Sequence, residues 1–320
     1  MNLLSPVAKK SQYTLYHGDS VLLAELVPDN SVHFSLYSPP FSKLFCYSNS
    51  DHDLGNCRTN DEFLTHFGFL AKHLYRVLMP GRLMAVHCMD MPLVKERDGV
   101  IGFSDFSGDL IRLFQSHGFI MHGPRITIWK DPLIEATRTK ALGLMHKQLC
   151  KDSAMCRTCS PDYLLVMRKP GDNKEPVTRP EGMVDYVGEN QIDGTPGYFP
   201  PMGSTEPCYS HNAWRGYASP VWMDINQTRT LNYRDARDPN DEAHVCPLQL
   251  DVIERAIHLW TNPGDTVFSP FAGIGSEVYG AVINGRKGIG IELKPSYYRQ
   301  AVKTLEEAVK DKPQEVDLFA

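Results

Sequence analysis

Val267-Phe268-Ser269-Pro270-Phe271-Ala272-Gly273-Ile274-Gly275-Ser276 joins a short apolar run, Thr266 to Phe268, to a helical pattern from Ser276 to Asn284. Glycines in a strand-to-helix turn let the backbone take positive φ and come close to a ligand. Seventeen residues after Gly275, Glu292 ends the next strand-like run, Gly288 to Ile291. An acidic side chain there can accept hydrogen bonds from both hydroxyls of a ribose. A dinucleotide-binding turn would carry a third glycine at 278, but this chain has Val278 and opens the turn with Pro270-Phe271. The loop therefore fits S-adenosylmethionine better than a nicotinamide cofactor. A glycine turn that merely packs a helix on a sheet is the competing reading, and Glu292 weighs against it.

Outward from this loop the chain alternates strand and helix patterns. Tyr13 to His17 and Val32 to Tyr37 are β-prone runs, and Ser20 to Leu26 between them reads as a helix capped by Asp19 or Ser20. Asp61 to Leu78 places Phe63, Phe67, Leu70 and Leu74 at helical spacing, with Asn60 as expected N-cap and Pro80-Gly81 as the stop. A buried strand over Leu83 to Cys88, a helix over Phe106 to His117, a segment Phe119 to Trp129 and a strand over Tyr163 to Met167 follow. After residue 240 come helices over Leu248 to Trp260 and Ser296 to Lys310. Such alternation predicts an α/β fold: a Rossmann-like, mostly parallel sheet with helices on both faces. Between 171 and 240 periodicity fades, and Pro, Gly and exposed-looking aromatics (Trp214, Tyr217, Trp222) accumulate. The organisation expected is 1–170 as one part of the α/β domain, 171–240 as a loop-rich insertion and 241–320 as the cofactor-binding part.

Ser38-Pro39-Pro40-Phe41 follows the Val32 to Tyr37 strand and so falls at the carboxyl edge of the sheet, where ligands of open α/β folds bind. Two prolines fix φ and stiffen the loop. It can aim the Ser38 hydroxyl and the Pro39 carbonyl at one amine, while Phe41 stacks on a planar ring. Methyl transfer from a sulfonium needs alignment more than a strong base. A proline turn that only ends a strand explains the tetrapeptide alone, but not its coexistence with the 268–276 loop.

With both motifs present, the chain resembles the DNA amino-methyltransferases of the N6-adenine/N4-cytosine family. The likeness covers most of the chain outside the middle insertion. Ser38 to Phe41 matches the family tetrapeptide (D/N/S)-P-P-(Y/F), and Ser269 to Ser276 matches D-P-F-x-G-S-G-T loosely. The catalytic motif precedes the cofactor motif, as in the β arrangement. The resemblance implies a methyltransferase sheet with one antiparallel hairpin, with a target-recognition insertion at 171–240. It implies catalysis by Ser38, Pro39, Pro40 and Phe41 on an exocyclic amine of a flipped base. For the cofactor it implies Asp19, Ser38, Pro247, Phe268, Ser269, Pro270, Phe271, Gly273, Gly275 and Glu292. Trp129-Lys130 and Asp162 to Arg168 resemble the family hairpin beside the target base. Two departures stand out: Ser269 replaces the usual Asp, and Ile274 a Ser. Ser38 in place of Asp leans toward cytosine N4 over adenine N6. RNA or protein-amide methylation, or an inactive nucleic-acid-binding relative, are the competing readings.

The 320 residues carry 33 basic and 38 acidic side chains, a net charge of −5, so a nucleic-acid partner needs a local basic patch. One exists between 137 and 151, where Arg138, Lys140, Lys147 and Lys151 meet no acidic residue. These are expected to anchor phosphates of double-stranded DNA, with Trp214, Arg215, Arg229 and Arg234 as base readers. The absence of an apolar leader and of a long apolar run predicts a cytoplasmic protein without a membrane span. The resemblance also admits a homodimer. Eight scattered cysteines suit reduced thiols. Cys156-Arg157-Thr158-Cys159 with Cys150 and His146 offers a weaker zinc reading, and no metal is expected.

Overall fold

The computed structural model describes residues 7–41, 47–138, 146–180, 182, 186–188, 209–232, 236 and 247–310. Its strands are β1 (Val7–Lys9), β2 (Tyr13–His17), β3 (Val32–Tyr37), β4 (Leu78–Cys88), β5 (Met91–Leu93) and β6 (Gly102–Ser104). They continue with β7 (Ile120–Met121), β8 (Ile126–Ile128), β9 (Asp162–Arg168), β10 (Val221–Trp222), β11 (Thr266–Ser269) and β12 (Lys287–Glu292). The helices are α1 (Ser20–Leu23), α2 (Asn60–Val77), α3 (Lys95–Asp98), α4 (Phe106–Ser116) and α5 (Pro132–Arg138). Then come α6 (His146–Lys151), α7 (Tyr209–Ala218), α8 (Leu250–Trp260), α9 (Ser276–Ile283) and α10 (Pro295–Lys310).

The main sheet runs β1-β2-β12-β11-β3-β4-β9-β8-β10, with β7 also on β9. From β2 to β4 every pairing is parallel, and β9 enters antiparallel between β4 and β8. The two motifs thus end adjacent strands: Val267 pairs with Phe34 and Phe268 with Ser35. The Ser35 hydroxyl donates to the Phe268 carbonyl at 2.9 Å across 233 positions of sequence. The chain goes from β3 to β4 on one side of this pair and from β11 to β12 on the other, which makes it the switch point where α/β sheets bind ligands.

One face of the sheet packs α2 and α4 through Phe63, Phe67, Leu70, Leu74, Leu110 and Phe114. The other packs α8, α9 and α10 through Ile253, Ile257, Ala281, Val278 and Leu305. Each fully buried Leu or Phe of these layers contributes roughly 1.5–3 kcal/mol. Thr59, not Asn60, caps α2 by accepting the Glu62 N–H at 3.1 Å, while the Glu62 carboxylate accepts the Arg58 N–H. Pro80 and Gly81 do not interrupt the chain after α2, because β4 starts at once and carries them at its beginning. Below the site, at the amino ends of the strands, Arg82 forms a buried ion pair with Asp265, and the Thr266 N–H donates to His33 Nδ1.

The described residues of the stretch 171–240 include regular elements that its composition does not suggest. They supply α7 and also β10, which extends the main sheet parallel to β8. Trp222 and Tyr217, expected at the surface, are buried, whereas Trp214 is 69% exposed. The cause is Arg255 of α8, fully buried and paired with Asp224 at 3.0 Å. Its guanidinium lies over the rings of Trp222, Tyr186 and Tyr217 and donates to the Val187 carbonyl. One cation on a core helix thereby gathers three aromatics that a sequence scan leaves exposed. A second hairpin, β5–β6, was not expected, and it presents Val100, Ile101 and Phe103 to solvent.

Candidate active site

Strand alternation assembles the site at the carboxyl edge. Leu36, Ala85 and Leu164 pack into one cluster on one face of the sheet, and two residues beyond Leu36 on that face comes Ser38. His87 lies opposite Leu164 and Asp162 opposite Ile128, so the ends of β3, β4, β9 and β8 aim Ser38, His87, Asp162 and Lys130 at one place. Ser38 Oγ is 3.0 Å from His87 Nδ1, and His87 Nε2 is 3.0 Å from Asp162 Oδ2. Lys130 Nζ sits 2.8 Å from the same Asp162 oxygen. Burial alone would raise the Asp162 carboxyl, but the charges and hydrogen bonds of His87 and Lys130 outweigh it and hold the group below its ordinary value.

These residues line a cavity of about 810 Å³, within the usual range for small-molecule sites. The tetrapeptide Ser38 to Phe41 forms one wall, and Phe41 packs its ring against Phe106, with centroids 6.5 Å apart. The 270–277 loop forms the next wall. Gly273 and Gly275 hold φ of 54° and 92°, and an added Cβ at Gly273 would meet nothing, so that backbone is open to a ligand. Gly275 instead serves packing, since a Cβ there would lie 3.1 Å from Ala301. Glu292 accepts the Gly273 N–H at 2.7 Å and the Lys294 N–H at 2.8 Å, which fixes its carboxylate at the cavity wall. Burial pushes it up to about 7. Asp19 caps α1 through the Val21 N–H and meets His52 Nδ1 at 2.8 Å.

Several expected residues are brought together here: Asp19, Ser38, Pro39, Pro40, Phe41, Lys130, Pro247, Pro270, Phe271, Gly273 and Glu292 all line the cavity. Others are placed elsewhere. Phe268 turns its ring into the core below the loop, and Ser269 is fully buried with its hydroxyl beside the Glu277 carboxyl. Lys130, expected on DNA, is inside the cavity on Asp162, and Trp129 is joined through its N–H to the Trp222 carbonyl. Arg229 makes ion pairs with Asp251 at 2.6 Å and Glu254 at 2.8 Å, on α8. Trp214 and Arg215 lie on α7. Only the backbone of Arg138 and Lys147 is described, and Lys140 and Arg234 lie outside the described residues. Cys150, Cys156 and Cys159 form no disulfide among the described residues. Among the described residues the only grouping at metal-donor distances is His33, Glu175 and Asp265, away from these cysteines.

The sequence reading missed His87, Asp162 as an acid, Glu277, Gln227 and Gln249. Glu277, in the first turn of α9 beside Ser269, is buried and pushed up to about 8. The Gln227 amide and the Gln249 side-chain oxygen are buried without a hydrogen-bond partner among the described residues, on the wall facing the tetrapeptide. Orphaned amides of this kind are costly unless a ligand meets them.

The N6/N4 DNA methylase family pattern matches residues 32–303, most of the chain. The chain belongs to that family. Its curated relatives include the type II methyltransferase M.MjaI of Methanocaldococcus jannaschii, 22% identical over 225 residues. That alignment covers 70% of this chain and 61% of the relative, so it spans less than two thirds of the relative's length. Among solved structures, TTHA0409 of Thermus thermophilus in complex with S-adenosyl-L-methionine superposes with a TM-score of 0.61. It is 21% identical, and the match covers 93% of this chain and 95% of that one. The cytosine-N4-specific PvuII DNA methyltransferase superposes with a TM-score of 0.58 at 18% identity, covering 94% and 92%. At these identities the family member shares their fold. No described helix is long and apolar enough to cross a membrane.

Proposed function

We propose that this chain is an S-adenosylmethionine-dependent DNA methyltransferase that acts on the exocyclic amine of a base turned out of the duplex, with cytosine N4 ahead of adenine N6. The observation that carries the reading is the junction of Ser38-Pro39-Pro40-Phe41 with the 270–277 loop in one cavity, on adjacent parallel strands. Support for the cofactor comes from the open backbone at Gly273 and from the Glu292 carboxylate beside it, which suit a backbone-contacted nucleoside with ribose hydroxyls. Glu292 and Asp19 would hold the ribose and adenine side, Pro247 the opposite end. When bound, the cofactor supplies a methyl group already activated by its sulfonium.

What remains for the protein is alignment. The stiff tetrapeptide would hold the two amine hydrogens with Ser38 and the Pro39 carbonyl, and Phe41 would cover one face of the ring. The orphaned amides of Gln227 and Gln249 give the base edge hydrogen-bonding partners. Arg138, Lys140 and Lys147 would anchor phosphates. The test is incubation of unmethylated duplex DNA with protein and cofactor, followed by mass spectrometry of the nucleosides. N4-methylcytosine is expected. N6-methyladenine would correct the base, and an unmodified duplex would overturn the reading. Ser38→Ala with Phe41→Ala should abolish transfer while calorimetric cofactor binding persists.

A further inference from the structure

Ser38 poses a chemical problem for the function proposed above, on which this inference rests. A carboxylate in its place could only accept hydrogen bonds, but a hydroxyl both donates and accepts. A serine that pointed its proton at the amine would compete for the lone pair that must attack. Its direction is set by what stands behind it.

Behind it stands His87, then Asp162, then Lys130. Asp162 is 3% exposed, and its carboxylate faces the Lys130 ammonium at 2.8 Å, a partner that favours the ionised form whatever the state of His87. An ionised carboxylate only accepts, so His87 Nε2, 3.0 Å away, carries the proton. In the neutral ring Nδ1 is then an acceptor, and the Ser38 hydroxyl, 3.0 Å from it, must donate. The free lone pairs of Ser38 Oγ face the cavity. We infer that His87 and Asp162 form a relay that makes Ser38 a pure acceptor toward the substrate amine and that receives the amine proton after methyl transfer.

The proton path balances. As the nitrogen lone pair forms its bond to the methyl carbon, the carbon–sulfur bond breaks with its electrons left on sulfur, and the nitrogen becomes cationic. One N–H proton then passes to Ser38 Oγ while the Ser38 hydroxyl proton passes to His87 Nδ1, and the N–H bonding pair returns to nitrogen. The product amine leaves neutral, and the imidazolium faces Asp162. Around His87 the charged groups come from three directions: Asp162 on β9, Lys130 after β8 and Glu135 on α5. The cavity-lining residues Gln227, Thr228, Thr230 and Gln249 add no ionisable side chain, and the wall formed by the 270–277 loop and the end of β12 carries Glu277, Glu292 and Lys294. Lys130 offsets the Asp162 charge, so the pair is neutral until His87 takes the proton, which it then gives up to solvent.

His87 touches the reaction only through Ser38, so it is a positioning residue, and the test needs readouts beyond rate. In the wild-type protein without cofactor, ¹⁵N NMR of the His87 ring should find hydrogen on Nε2 and none on Nδ1; hydrogen on Nδ1 would overturn the assignment. Asp162→Asn should disturb that tautomer. His87→Gln should lower kcat about 100-fold with KM for DNA and cofactor affinity within twofold of wild type, and should erase the acidic limb of the kcat profile. Wild-type kcat with an unchanged limb would refute the relay. If His87→Gln does not fold, Asp162→Asn and the wild-type spectrum still decide. If the wild-type protein methylates no DNA, the proposed function fails while the tautomer measurement stands on its own.

Discussion

Ser269 and Glu277 stand side by side, both buried, where β11 gives way to α9. The loop departs from the pattern it resembles by carrying serine at 269, and the carboxyl group beside that serine belongs to the first turn of α9. Burial pushes Glu277 up to about 8 and Glu292 to about 7, from ordinary values of 4.5. The sign follows: both groups keep protons in the folded chain that the unfolded chain has already released, so cofactor-free stability falls as pH rises from about 4.5 to 8. Glu277→Gln removes the larger share. Relative to wild type, its melting temperature should rise by on the order of 2 °C per pH unit between pH 5 and 8. A difference that does not vary with pH would show that Glu277 is already ionised. A cationic ligand favours the carboxylate, so cofactor affinity should also tighten over the same window, and less so in the variant.

Between elements, the decisive contact is Arg255 on α8, which holds Asp224, three aromatic rings and the Val187 carbonyl. Arg255→Met would leave Asp224 buried without its cation, at a cost of about 3–5 kcal/mol. Urea unfolding should record that loss, with part of it recovered by adding Asp224→Asn. A loss below about 1 kcal/mol would mean that the aromatics hold 186–188 and β10 in place without the ion pair. The same contact marks where sequence reading stops. Elements whose burial is local were legible: β2 and β3 fall on the expected residues, α2, α4, α8, α9 and α10 within a residue or two. That positions 38–41 and 270–273 shape a ligand-sized cavity was legible because backbone stiffness and glycine conformation are local properties. His87 was not, since its role depends on β4 lying between β3 and β9, and no local pattern encodes that neighbour order. Nor was the burial of Tyr217 and Trp222, because the arginine that gathers them stands 31 positions beyond Asp224 and 69 beyond Tyr186.

Across the whole molecule the net charge of −5 hides an uneven distribution. Twelve acidic and six basic residues fall between 171 and 242, so the remainder carries a small positive excess. The structure narrows the positive side further. Arg179 is spent on Asn262 and the carbonyls of His258 and Thr261, and Arg229 on Asp251 and Glu254. With these two cations committed to internal bonds, the proposed function assigns phosphate neutralisation to Arg138, Lys140, Lys147 and Lys151. Each phosphate contact contributes about 0.9 to the slope of log affinity against log salt. Arg138→Glu with Lys140→Glu should therefore reduce that slope by about 2 and weaken duplex binding at least tenfold near 0.1 M salt, as read by fluorescence anisotropy between 50 and 200 mM. Arg229→Gln supplies the contrast. It should leave the slope within experimental scatter and lower thermal stability, because its partners are on α8. If instead Arg229→Gln flattens the slope and the double reversal does not, the DNA lies across the 171–242 region, and the acidic residues there must be turned away from the duplex.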